Sequence, residues 1–563
     1  MKIQFLTLLI VAFCQLNAQN FINHYSSDCT QNGTSNLVDV DYPTEMRFSC
    51  ITTKESNLLI AGPLKTTNDL YKGLVLTEID VSGVLLDIHR IYVESGDADI
   101  YPTGLLWEAI DNSAIICGYM GLAGYNLSDP ALIPHAFILK YDYVSHAIIW
   151  IRKIFHNYTY FLDIAKRSDG DYVLCGQFSA STIKDTEDAV LYSADNLTGN
   201  LSKLTESRGI NSTGTSDTWQ ALEVTGNNVF TSGRFEYYNT DGKDGMRPVL
   251  SKYNMITPSL STSGYVRTII GSLARLYAVD VTKSVLTYVM AINGDLNSDI
   301  NTDEDLIIAK INSALISSWQ RLLNFPTTIK DGRFHSIKTY NGDGSNDLVV
   351  YGSTPELYDN KPFLTKITAD GNSVSWSYKY DNITAPPDGC PNSMIIFGDY
   401  IFAVGWHIDN SEDVGVLLKT HINEGTTGCS TALYPTLSSI DQTFTTVPII
   451  LDVPLYITNP VNYIKPCTST TTTPCYEARI GENSLLTSKV NLLNSNHNEL
   501  IISLDDYNQT NIYVLNIYNI LGQKVIQYYL TSLESTFNLE SGIYIYQLII
   551  DQNLANSGKF VVK

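Results

Sequence analysis

The sequence predicts an all-β chain, a seven-bladed β-propeller followed by a small antiparallel β-sandwich. Three observations predict it. One strand recurs seven times through the middle of the chain. A second strand, ending in glycine, recurs upstream of nearly every copy. A short alternating tail with its own pattern follows a Pro- and Thr-rich stretch. Long helical periodicity is absent and Tyr (36) is abundant, which suits short strands joined by turns.

Residues 1–18 read as a signal peptide. Lys2 supplies the positive start, Ile3 to Phe13 is an apolar run, and Leu16-Asn17-Ala18 is a small-residue site with cleavage before Gln19. The run is well short of the roughly 18–20 residues that a membrane-spanning helix needs. A lipid-attachment reading would use Cys14, but the residue before a lipidated Cys is normally small and Phe13 is not. No later segment is apolar for long enough to span, so no transmembrane segment is expected in the mature chain.

Residues 19–425 read as the propeller. The recurring strand is Leu74–Asp80, Ala136–Asp142, Ala189–Asp195, Pro248–Asn254, Leu306–Asn312, Pro362–Thr368 and Gly415–His421. Its fifth position is Lys in five copies: Lys140, Lys252, Lys310, Lys366 and Lys419. The strand before it ends at Gly62, Gly118, Gly176, Gly233, Gly352 and Gly405, with Ala291 in the fifth copy. A glycine there predicts that another backbone packs against it. An earlier strand pairs an aromatic with an aliphatic three residues on: Phe48/Ile51, Trp107/Ile110, Phe161/Ile164, Trp219/Leu222, Phe334/Ile337 and, loosely, Tyr277/Asp280. A fourth carries Trp150, Trp319 or Trp376, with weaker equivalents around Ile88 and Tyr265.

Four short strands per repeat, repeated seven times, make a propeller, and closing the ring protects its sheet edges. The seventh repeat has no fourth strand of its own. Phe21-Ile-Asn-His-Tyr25 resembles Trp376-Ser-Tyr-Lys-Tyr380, so residues 20–26 are expected to supply the outer strand of the last blade. The repeat also resembles the propeller families common in exported bacterial proteins, with their strand–Gly–loop–strand–Lys–turn–Trp order.

Residues 426–483 hold Pro435, Pro448, Pro454, Pro460, Pro466 and Pro474 and the run Cys467-Thr-Ser-Thr-Thr-Thr-Thr-Pro-Cys475. That composition reads as an extended linker, in which isolated strands such as Val447–Val453 have the propeller or the tail to pack on. Residues 484–563 alternate over Leu500–Leu504, Ile512–Tyr518, Val525–Tyr529, Ile543–Ile549 and Phe560–Val562, as a small antiparallel sandwich would. With Ile520-Leu-Gly-Gln-Lys524, Gly542-Ile-Tyr544 and a terminal Lys563, this tail resembles the C-terminal sorting domain of the bacterial type IX secretion system. The resemblance carries over at Gly522, Gln523, Gly542, Tyr544 and Lys563. It departs where Leu493-Asn494-Ser495 stands for the family's Pro-Asn-Pro. It implies passage through the periplasm, the type IX machinery as a partner, and a secreted or outer-membrane-surface destination.

The formal charge is 36 − 58 = −22. With no basic stripe, nucleic acid is excluded as a partner, because phosphate neutralisation needs clustered Lys and Arg. Removing the signal peptide leaves eight of nine cysteines. Cys467 and Cys475 flank a Thr-rich loop and are expected to pair, with Cys429 as the rival partner. Cys117 and Cys175, equivalent in adjacent blades, read as small buried core residues.

Two loops invite a metal. Asn341-Gly-Asp-Gly-Ser-Asn-Asp347 resembles the calcium loop of FG-GAP propeller blades. Asn341, Asp343 and Asp347 match ligand positions, and Thr339 stands where an Asp is expected. Asp295–Asp305 alternates oxygen side chains but lacks the central glycine. There is no Gly-x-Ser-x-Gly, no His-Glu-x-x-His and no phosphate loop. The expectation is therefore a noncatalytic binding or adhesion module for an extracellular ligand. The alternatives are a secreted hydrolase or lyase acting on polysaccharide or peptide through a loop-built site, and a structural component of the surface layer.

Overall fold

The structure is a computed structural model. It describes residues 21–25, 46–66, 70–92, 98–122, 134–154, 159–179, 188–209, 217–238, 244–265, 275–295, 305–325, 332–356, 359–381, 383–385, 390–409 and 412–427, and beyond them the strands named below with their short connections. The signal peptide, the 296–304 part of the second acidic loop, and Cys429, Cys467 and Cys475 lie outside the described residues. The chain divides into two compact units, Met1–Cys475 and Tyr476–Lys563. No helix among the described residues is long and apolar enough to cross a membrane.

The first unit is a seven-bladed propeller of four-stranded antiparallel meanders. Blades one to six run over 50–92, 98–154, 160–209, 218–265, 275–324 and 333–380. Blade seven takes three strands from Met394–Phe397, Tyr400–Asp409 and Glu412–His421, and its outer strand is Phe21–Tyr25. The register is antiparallel, Phe21 opposite Lys419 and Tyr25 opposite Gly415, so the N-terminal strand closes the ring as its likeness to Trp376–Tyr380 predicts.

Each hydrophobic cluster draws on two consecutive blades. The one that seals the ring mixes Phe48 and Ile60 of blade one with Phe402, Val404 and Leu417 of blade seven, all of them buried. Burying such a side chain fully stabilises by about 1.5–3 kcal/mol, so every blade joint is an apolar core in its own right.

The repeated glycines have the cause the sequence suggests. A Cβ at Gly118 would lie 2.0 Å from the carbonyl oxygen of Tyr101, and one at Gly233 2.0 Å from that of Thr218. The inner strand crosses there with a bulge, at Pro102/Gly104 and Trp219/Ala221 in these two blades. The pairing corrects three assignments. In blade two Pro102 and Leu105 hold the places given to Trp107 and Ile110, which lie at the far end of Ala98–Glu108. In blade five Ala278 and Val281 replace Tyr277 and Asp280, and the glycine position falls on Ile292 rather than Ala291. A bulge shifts the side-chain alternation by one residue, which a period-two pattern cannot register.

The Lys and Trp of the repeat act together across each joint. Lys140, Lys310 and Lys419 donate to the carbonyls of Asn196, Ala369 and Val81, each in the next blade's turn between its third and outer strands. Over the first two of these turns lie Trp150 and Trp319, against Gly199 and Gly371, and at the joint of blades six and seven Trp376 lies against Gly425 while Lys366 donates to Asn423 Oδ1. These glycines take φ near +70°, a conformation free to glycine but strained for other residues, and leave room for the indole. At the joint of blades one and two, His146 at φ 54° stands in the glycine's place and stacks on His89 at 4.7 Å.

The Pro- and Thr-rich stretch, read as a linker, contributes strands to the ring. Ser430–Ala432 pairs with the outer strand of blade six, Thr436–Ser439 with that of blade five, and Phe444–Thr445 with that of blade four. Ile449–Asp452, Ile464–Pro466 and Thr470–Pro474 then pair with blades three, two and one. The chain thus winds back round the ring as a belt, an antiparallel fifth strand on six blades. Its prolines fall between or at the ends of these strands, where a lost N–H costs no ladder bond.

The second unit has two antiparallel sheets. One orders Val490–Asn494, Glu499–Leu504 and Glu534–Asn538, and the other Lys524–Leu530, Tyr513–Asn519, Gly542–Ile550 and Asn553–Val562. The strand Glu534–Asn538 has no counterpart in the sequence reading.

Candidate functional site: the ring axis and its plug

The inner strands line the axis, and each of several blades reaches the next through a polar group at or beside its bulge. Ser49 Oγ donates to the Pro102 carbonyl at 2.7 Å, and Thr103 Oγ1 to the Phe161 carbonyl at 2.8 Å. In blade three the group is Asp163, whose Oδ2 accepts the Leu222 N–H of blade four at 2.8 Å. In blade five it is Asp280, whose Oδ2 accepts the Ile337 N–H of blade six at 2.7 Å and Lys338 Nζ at 3.0 Å. Ser336 Oγ lies 2.8 Å from that oxygen and 2.6 Å from the Pro391 carbonyl oxygen, and donates to one of them at a time.

Pro391–Ser393 is a short 3₁₀ turn that leads from blade six into blade seven. It packs on the inner strands of blades one, two, three and six, which only a segment lying across the axis can do. Lys338 Nζ donates to its Pro391 carbonyl at 3.2 Å, and Asn392 Nδ2 donates to Asp163 Oδ1 at 2.6 Å. The turn is a plug bonded to opposite sides of the ring.

Burial pushes the Asp163 carboxyl up to about 7, against the pull of the Leu222 N–H and Asn392 bonds. Burial also raises Asp280, opposed by the Lys338 charge, and raises Glu223, opposed again by Lys338. Three acids with raised pKa therefore share this region, the type of group that serves as a general acid. In Asp163 and Asp280, though, both oxygens are engaged: Oδ1 of each also accepts its own following N–H, from Ile164 and Val281. The chemistry these two perform is the joining of blades. Cys50, Cys117, Cys175 and Cys390 are buried, and burial lifts the first three far above the usual thiol range, which keeps them protonated and unreactive.

The calcium-like turn joins the inner two strands of blade six, with Gly344 at φ 77° and Asn346 at φ 57°. Asp343 is exposed and accepts the Ser345 N–H at 2.8 Å. Asp347 faces the neighbouring hairpin, where Oδ1 accepts the Ala369 N–H at 3.2 Å and Oδ2 pairs with Lys366 at 3.2 Å. Asn341 begins the same turn, its carbonyl accepting the Gly344 N–H at 3.1 Å. Among the described residues no group of three or more His, Cys, Asp or Glu side chains is arranged to hold a metal.

Of the sorting-signal residues, Gly542 opens its strand opposite Val562, and Tyr544 is buried between Asn519 and Phe560. Gly522, Gln523 and Lys563 lie outside the described residues. Sequence reasoning missed the axial group altogether. The one available signal was the same Asp recurring beside the inner-strand bulge at 163 and 280, hidden in blade five by the shifted register.

No family model matches the chain, and no curated protein matches it. Among solved structures it is similar to the polysaccharide lyase Uly1, at 8% identity and TM-score 0.37 over 72% of this chain and 98% of that one. It is similar to the α-L-arabinofuranosidase Arb93A of Fusarium graminearum, at 12% identity and TM-score 0.37 over 59% and 95%. It is also similar to PorZ of Porphyromonas gingivalis, described as an essential surface component of the type IX secretion system, at 9% identity and TM-score 0.22 over 96% and 100%. At these identities and TM-scores the likenesses carry nothing about what this chain does.

Proposed function

We propose that this chain is an exported β-propeller, a noncatalytic binding or adhesion module that the type IX secretion machinery delivers to the cell surface or the medium. The export half of the reading rests on the resemblance of 484–563 to a sorting domain, and on that segment belonging to a compact unit apart from the ring. The binding half rests on one observation, that both oxygens of the axial carboxylates Asp163 and Asp280 are engaged, by their own strand, by the next blade and, in Asp163, by the plug. A ring so tied serves as a rigid support for ligand-binding loops. Removing 484–563 should leave a folded propeller trapped in the periplasm, and cell fractionation measures this. Appearance of the truncated chain outside the cell would refute the sorting role.

A second reading, a hydrolase or lyase acting on polysaccharide or peptide, is favoured by the raised pKa values of Asp163, Asp280 and Glu223. Glycan-array binding set against turnover of labelled polymers separates the two. Turnover that Glu223→Gln abolishes would establish the enzyme.

A further inference from the structure

The turns between the first and second strands, and between the third and outer strands, emerge on one face of the ring, because each blade is an antiparallel meander. On this face five consecutive blades present an aliphatic side chain to solvent at the third-to-outer turn: Val84, Val144, Leu197, Ile256 and Ile316, each 55–78% exposed. A single exposed aliphatic is ordinary. Five at the third-to-outer turns of five consecutive blades are not, since these turns of a closed ring all emerge on one face.

A second feature recurs with them. Each of these residues has its backbone N–H satisfied by the Asp or Asn that ends the repeated strand. Asp80 takes that of Val84 at 2.8 Å, Asp142 that of Val144 at 2.9 Å, and Asp195 that of Leu197 at 3.1 Å. Asn254 takes that of Ile256 at 2.9 Å, and Asn312 that of Ile316 at 3.0 Å. The aliphatic is the second residue after the Asp or Asn in blades two to four and the fourth in blades one and five, and in each turn its backbone donor is met. An unmet backbone group costs several kcal/mol where water is excluded, so these tips are suited to a dry surface. Blades six and seven differ, with Asp370, Asn372, Asn423 and Glu424 exposed in the corresponding turns.

We propose that the turn face of blades one to five docks on an uncharged lipid surface, its aliphatic tips entering the headgroup–acyl boundary. A fluid apolar surface meets separated tips on one face without needing a matched pocket for each. The charge of the chain selects the lipid. At −22 overall, with Glu55 exposed in a turn of this face and with Asp111 and Asp169 there already paired with Lys140 and Arg167, it is repelled by anionic headgroups and compatible with zwitterionic ones.

The test is flotation of the purified mature chain with phosphatidylcholine vesicles, with and without added phosphatidylglycerol. It is independent of the export reading, because no secretion machinery is present. The expected result is co-flotation with phosphatidylcholine that weakens with added phosphatidylglycerol. Val144→Ser/Leu197→Ser/Ile256→Ser should lower the partition coefficient at least about tenfold, as the loss of three buried aliphatics requires. If the triple variant melts early, Leu197→Asn alone is used, with a loss of about threefold expected. No flotation of the parent, equal flotation of a folded variant, or stronger binding to phosphatidylglycerol overturns the proposal. So does self-association of the parent that the triple substitution abolishes without altering flotation.

Discussion

Asn392 Nδ2 stands 2.6 Å from Asp163 Oδ1, a bond that ties the turn before blade seven to the inner strand of blade three across the axis of the ring. The carboxyl that accepts it is buried, which pushes its pKa up to about 7. An unfolded Asp ionises near 4. A raised folded-state pKa means stability that is fully present below about 4 and is lost as pH rises through about 7. The difference in melting temperature between the parent and Asp163→Asn should therefore shift against the parent between these limits, as other groups cancel in the comparison. A difference that stays flat from pH 4 to pH 8 refutes the assignment.

Beside the apolar cluster that joins blades one and seven, two further contacts of blade seven help close the ring. Phe21–Tyr25 pairs with its third strand, and Lys419 Nζ donates to the Val81 carbonyl of blade one at 2.7 Å while lying 4.3 Å from the Tyr400 ring centroid. Deleting 19–27 should lower the melting temperature far more than loss of a loose tail, because it exposes a sheet edge. Lys419→Met should cost about 1–2 kcal/mol, since it leaves a partly buried carbonyl without its charged donor. Thermal melts matching the parent would refute both.

Two glycines separate crowding from backbone conformation. At Gly233 an added Cβ meets the Thr218 carbonyl oxygen at 2.0 Å, so Gly233→Ala must move the inner strand of blade four and should cost more than about 3 kcal/mol. At Gly344 nothing lies within 4 Å of an added Cβ and φ is +77°, so Gly344→Ala should cost only about 1–2 kcal/mol of backbone strain. Urea unfolding of the two variants checks the order, and equal losses would contradict it.

Val285 occupies φ 55° in the first-to-second turn of blade five, where blades four and seven have Gly226 at 56° and Gly398 at 60°. A β-branched residue is strained there. Val285→Gly is expected to raise stability by up to about 1 kcal/mol, the relief of strain exceeding the added chain entropy. A lower melting temperature would show that the Val side chain makes a compensating contact.

Calcium at Asn341, Asp343 and Asp347 remains a proposal, and the pairing of Asp347 with Lys366 and the Ala369 N–H places any affinity at the weak end, about 10⁻⁴–10⁻³ M. Millimolar calcium should raise the melting temperature of the parent and not of Asp343→Ala. No calcium effect on the parent identifies an ordinary polar turn.

The sequence by itself determined the seven blades, the role of Phe21–Tyr25 and the crowding at Gly62, Gly118, Gly176 and Gly233. These are local patterns repeated in register, and the repeat makes a weak signal strong. Tertiary structure alone decided the belt over 430–474. Pairing along a sheet edge is made by backbone groups, so Thr-Thr-Thr-Thr-Pro on blade one and Ile-Ile-Leu-Asp on blade three serve equally and leave no shared side-chain pattern. It also decided the plug, because a three-residue turn carries no periodicity and Asn392 and Asp163 are 229 residues apart. The bulges lay between these extremes. Their effect is a one-residue slip, invisible in sequence, that moves Asp280 from the aliphatic position loosely given to it to the bulge, where it makes a buried bond with the next blade.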